Sequence, residues 1–97
     1  MNITIFKGSE ELNLINDNVD VEVLLDNGKR YAATFFTIEN IISILDRYKK
    51  TKECCNGLYF WASDMIIVES LDENIINKTI QDLLKNEEFY TAFSLLE

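Results

Sequence analysis

The stretch Val19-Asp20-Val21-Glu22-Val23-Leu24-Leu25-Asp26-Asn27-Gly28-Lys29-Arg30-Tyr31-Ala32-Ala33-Thr34-Phe35-Phe36 decides the fold. Apolar and acidic residues alternate strictly from Val19 to Val23, the period of a half-buried strand. Asn27-Gly28 follows, a dipeptide that favours tight hairpin turns because both residues tolerate positive φ. A two-residue turn there pairs Asp26 with Lys29. That register places Val19, Val21, Val23 and Leu25 on one face with Arg30, Ala32, Thr34 and Phe36. Asp20, Glu22, Leu24 and Asp26 then share the other face with Lys29, Tyr31, Ala33 and Phe35. The first face is the expected core. The second sets acids beside Leu24, Tyr31 and Phe35, which is unusual for a surface that meets only water.

Outward from the hairpin, Ile3 and Ile5 predict a short first strand that ends near Gly8. Residues 9–18 fit either a loosely packed turn or a brief strand through Leu12, Leu14 and Ile15. On the other side, Thr37 caps a helix expected to reach about Lys50, with Ile38, Ile41, Ile42, Leu45 and Tyr48 as its stripe. Asn56-Gly57 marks the turn after it. Leu58–Ala62 and Met65–Val68 read as two strands around Ser63-Asp64, apolar on both faces and therefore central in the sheet. Ser70-Leu71-Asp72-Glu73 reads as a capping box with Ser70 as the cap. The helix it opens carries Leu71, Ile75, Ile76, Ile80, Leu83 and Leu84 and ends near Asn86. A short terminal helix then presents Phe89, Ala92, Phe93 and Leu96. The expectation is one α+β domain over 1–97: an antiparallel sheet of about five strands with two to three helices packed mainly on one face, in the order β-ββ-α-ββ-α-α.

Composition narrows the function. Of 97 residues, 47% are hydrophobic, enough for a core without metals or disulfides. There is no histidine, which excludes histidine-ligated metals and histidine-based triads. No apolar run has the length of a membrane helix, and no basic-then-apolar leader opens the sequence, so a cytoplasmic protein without membrane contact is expected. Cys54 and Cys55 are adjacent, and bridging neighbours strains an eight-membered ring, so a reduced pair is the plain reading. The glycines are scattered and form no phosphate loop. A formal charge of −8 disfavours nucleic acid, whose binding rests on phosphate neutralisation.

Charge is unevenly distributed. Residues 1–28 hold six acids and one base for −5, residues 29–52 six bases and two acids for +4, and residues 53–97 nine acids and two bases for −7. Part of this is helix chemistry, with Arg47, Lys49, Lys50 and Lys52 gathered at a helix end. The remainder steers the molecule towards basic partners. Leu58-Tyr59-Phe60-Trp61 has two readings, a central strand filling both faces or an interface beside Tyr31 and Phe35. The reading reached is a non-enzymatic, cofactor-free protein-binding module whose patch is Asp20, Glu22, Tyr31 and Phe35, with Trp61 next. Self-association through the same face is the first alternative. The second is a small enzyme with a carboxylate or thiol site, built on Glu69 or Cys55.

The segments Asn27-Gly-Lys-Arg-Tyr-Ala-Ala-Thr-Phe-Phe-Thr-Ile-Glu-Asn-Ile41 and Gly57-Leu-Tyr-Phe-Trp-Ala-Ser-Asp-Met-Ile-Ile-Val68 resemble small uncharacterised bacterial proteins of about this length. In size, acidity and lack of catalytic motifs, these are similar to immunity proteins of toxin systems. The resemblance implies a basic toxin domain as partner and carries no functional residue with it.

Overall fold

The computed structural model describes residues 1–8 and 11–96. Element order is β1 (Asn2–Phe6), β2 (Asn18–Leu24), β3 (Arg30–Thr37), α1 (Ile38–Thr51), α2 (Glu53–Gly57), β4 (Met65–Val68), α3 (Glu73–Lys85), α4 (Phe89–Ala92) and β5 (Ser94–Leu95). This is an α+β fold around an open five-stranded sheet ordered β1-β2-β3-β4, with β5 also paired to β3. Every pairing is antiparallel except β3 with β4, which is parallel.

The hairpin forms, with a different turn. Gly28 N–H donates to the Leu25 carbonyl at 2.9 Å, and Leu25 N–H donates to the Lys29 carbonyl at 3.0 Å. Asp26, Asn27 and Gly28 therefore make a three-residue loop, and of the Asn-Gly pair only Gly28 takes positive φ, at 83°. Such a loop is a type I turn closed by a glycine bulge. It moves the register by one residue: Val19 faces Phe35, Val21 faces Ala33 and Val23 faces Tyr31. A one-residue slip sends every side chain of one strand to the opposite face. The core face thus carries Tyr31, Ala33 and Phe35 with the valines, and the outer face carries Arg30, Ala32, Thr34 and Phe36 with Asp20, Glu22 and Leu24.

The main core is closed by α3 and α4. Ile76 and Ile80 of α3 are fully buried, and Leu83 and Leu84 pack at helical spacing beside them. Phe89 and Phe93 stack at 4.4 Å between ring centres, Tyr31 meets Phe89 edge-on at 5.3 Å, and Phe35 meets Phe93 at 6.1 Å. Ile3 and Ile5 of β1 and Leu12 complete the apolar layer. The cap of α3 is Asp72, whose carboxylate accepts from Asn74 N–H at 2.8 Å, while the Ser70 hydroxyl accepts from Asp72 N–H. The capping box on Ser70 is not formed. Asp72, two residues nearer the helix, caps it instead with a charged acceptor.

Thr37 ends β3 and caps α1 as expected: its hydroxyl accepts from Asn40 N–H at 3.1 Å, and its backbone N–H donates to Asp17 at 3.2 Å. The buried stripe of α1 lies one position further round than the spacing predicts. Ile44 is buried and Ile41, Leu45 and Tyr48 are half-buried, whereas Ile38 and Ile42 are exposed. Residues 11–17 form no strand: Asn13 accepts from the N–H groups of Ile15 and Asn16, a side-chain-closed turn. Ser9 and Glu10 lie outside the described residues.

The second expected hairpin is absent. Residues 58–62 form no strand, and β4 lies at an edge, reached by a helical crossover from β3. A parallel neighbour requires such a crossover, and α1 provides it. After α1 the chain turns through a left-handed stretch, with φ of 48°, 52° and 59° at Cys54, Cys55 and Asn56. Phe60 then seats against Phe36 at 5.4 Å and Tyr48 at 6.3 Å. Of the aromatic run, Phe60 packs α1 against the outer face at the Phe36 end of β3, while Leu58, Tyr59 and Trp61 stay exposed.

Candidate functional site

The rest of the outer face holds a recess of about 340 Å³ lined by Phe6, Asp20, Glu22, Ala32, Thr34, Ser63 and Asp64, among others. Its floor is low because Ala32 and Thr34 are the smallest side chains that β3 turns to this face. Its walls come from Phe6 at the end of β1 and the Ser63-Asp64 turn that leads into β4. Asp64 takes φ of 52° there, and its carbonyl accepts the Thr34 N–H at 3.0 Å, which ties the turn to the central strand.

Three carboxylates ring the recess, each fixed through one oxygen. Thr34 donates to Asp20 at 2.8 Å, Arg30 donates to Glu22 at 2.9 Å, and Ser94 donates to Asp64. The second oxygen of each has no hydrogen-bond partner among the described residues. Arg30 offsets Glu22, while Asp20 and Asp64 accept only from hydroxyls and keep net negative charge over an uncharged floor, suited to a cationic group brought by a partner. Phe6 at its wall is exposed, as are Leu24 and Ile67 on the same face of the sheet, and the segment that leads to Ser63 exposes Leu58, Tyr59 and Trp61, the last 71% exposed.

The residues singled out from sequence divide between the two faces. Asp20 and Glu22 stand together on the outer face at the recess. Trp61 is exposed three residues before Asp64 in the chain. Tyr31 and Phe35 are corrected: they lie on the core face, 8% and 0% exposed, beneath Phe89 and Phe93. The physical reason is the one-residue register shift set by Gly28, and the expected four-residue patch therefore does not assemble. Phe6, Thr34 and Ser63 were not singled out. Their signal was available only through the register and through the crossover that carries Asp64 back to β3.

Glu69 and Cys55 are both exposed, and neither lines a described recess. The described cysteines are free thiols. Among the described residues no group of three metal-ligating side chains converges. No helix of the described residues is long and apolar enough to cross a membrane. No protein-family model, curated protein or solved structure matches this chain.

Proposed function

We propose that the chain is a non-enzymatic protein-binding module whose outer sheet face receives a basic partner domain. The observation that carries this is the ring of Asp20, Glu22 and Asp64 around a small-residue floor, bordered by exposed Phe6 and, along the chain, Trp61. Each part has a distinct job. The carboxylates and the overall −8 charge raise the encounter rate with a cationic surface. The aromatic border supplies apolar area that is lost to water on docking, the usual source of affinity in an interface. A basic toxin domain is the partner class in keeping with the resemblance to immunity proteins.

The test is titration of the protein with purified basic toxin domains at increasing salt. Binding that weakens as salt rises, and that falls about tenfold in association rate for the Asp20→Asn, Glu22→Gln double variant, is the expected result. Salt-insensitive association of the protein with itself, with no response to any basic domain, would instead identify the face as a homodimer contact.

A further inference from the structure

We propose that the partner also donates an extended segment that pairs with the free edge of β1, its residues alternating between basic and apolar; this rests on the protein-binding reading above. The argument begins at the hairpin turn. Leu25 N–H bonds to the Lys29 carbonyl, so the odd-numbered residues of β2 bond towards β3. The even-numbered ones, Asp20, Glu22 and Leu24, then bond towards β1, where their partners are Phe6, Thr4 and Asn2. The phase is confirmed across the sheet, where even-numbered Thr34 and Arg30 of β3 bond away from β2, to Asp64 and Leu96. Ile3 and Ile5 therefore direct both backbone groups out of the sheet, and neither has a hydrogen-bond partner among the described residues.

Nothing on β1 blunts this edge: Asn2-Ile3-Thr4-Ile5-Phe6 has no proline, no bulge and no charged side chain, and the first charged side chain is Lys7. A strand added here presents its residues alternately to two recesses. Residues opposite Ile3 and Ile5 face a recess of about 310 Å³ between β1 and α3, lined by Ile3, Ile5, Lys7, Glu73 and Asn77. Branched apolar side chains there would cover the half-buried Ile3 and Ile5, beside the Lys7–Glu73 pair and Asn77 that line the rest of the recess. Residues opposite Asn2, Thr4 and Phe6 stand over the outer face, about 10 Å from β2, a gap that lysine and the Glu22 side chain span together. Charge selects the occupant. A second copy brings its own −8 to an edge whose outer-face flank carries Asp20 and Glu22, whereas a basic strand brings the opposite sign; on the other flank Glu73 is already paired with Lys7 at 3.5 Å.

The probe is the capped peptide Lys-Val-Lys-Val-Lys-Val-Lys with the full chain. In antiparallel pairing the valines oppose Ile3 and Ile5 and exchange hydrogen bonds with them, so valine N–H groups face the edge and lysine N–H groups face solvent. N-methylation of the valines is expected to weaken binding more than about tenfold, and N-methylation of the lysines less than about threefold. Amide exchange at Ile3 and Ile5 is expected to slow about tenfold or more when the unmethylated peptide binds. Ile5→Pro should abolish binding while keeping the fold, because that N–H bonds nothing in the sheet; should this variant unfold, the methylated peptides still decide the matter. Equal binding of both methylated peptides would overturn edge pairing while leaving the outer face as the docking surface. Slowed exchange at Ile3 and Ile5 in concentrated protein alone would assign the edge to a second copy and overturn the proposal. If neither the peptides nor any basic domain bound, the protein-binding reading itself would fall.

Discussion

Val23 lies directly opposite Tyr31 across the β2–β3 pair, and both side chains enter the core. That contact exists because Gly28 adopts a backbone angle costly for any other residue but asparagine or aspartate. Which face of the sheet is wet follows from it.

Gly28→Ala should therefore destabilise the protein by about 1–2 kcal/mol through backbone strain alone, since a Cβ there meets nothing within 4 Å. Gly57→Ala should cost clearly more. Its φ is 77°, and its new Cβ would fall 2.5 Å from Lys49 Cγ and 2.7 Å from the Leu45 carbonyl oxygen. Urea midpoints of the two variants, measured side by side, check the ordering; equal losses would mean that α1 moves aside freely.

Phe89→Ala should remove about 3–5 kcal/mol. The ring is fully buried between Tyr31 and Phe93, and truncation opens a cavity where three elements meet. Native stability is typically about 5–15 kcal/mol, so partial unfolding at 37 °C is expected and visible by circular dichroism. Tyr90→Ala, at an exposed position, is the matched control and should cost far less.

Cys55→Gly should stabilise the protein. A left-handed β-carbon costs about 1–2 kcal/mol, against roughly 0.5–1 kcal/mol for the added freedom of glycine in the unfolded chain. Cys55 has φ of 52° and its side chain is exposed, so little packing is lost. A melting temperature below that of the parent would contradict the left-handed turn.

Asp26 should titrate below its ordinary value of 3.8, because its carboxylate accepts a hydrogen bond from the Met1 ammonium at 2.8 Å and feels that charge. A carboxylate lowered on folding contributes stability above its unfolded pKa and loses it as pH falls through the folded one. The contribution is therefore intact at neutral pH and disappears only in acid, below about pH 4. Carbon-13 titration of the Asp26 carboxyl reads the midpoint directly. Asp26→Asn should flatten the corresponding part of the acid stability profile.

Much of the architecture is legible in the sequence. The valine alternation marked β2, Thr37 marked the start of α1, and the isoleucine spacing of residues 75–84 marked α3. The turn was not, because Asn-Gly serves both two-residue and three-residue loops, which differ in the φ of Asn27. Nor was the fate of Leu58–Ala62, since a continuous apolar run carries no period to separate strand from packing segment. The order strand, helix, strand was itself a sign of a parallel neighbour, and the apolar turn-bounded run obscured it. Half of the site followed the same fate. Asp20 and Glu22 depend only on β2 and were found, whereas Phe6, Thr34 and Asp64 come together only through tertiary pairing.

Among the described strands β3 alone pairs with three others, β2 along one edge and β4 and β5 sharing the other end to end. It is the keystone of the molecule: a single proteolytic cut within Arg30–Thr37 would release every layer together, while a cut among residues 58–62 would leave the sheet standing.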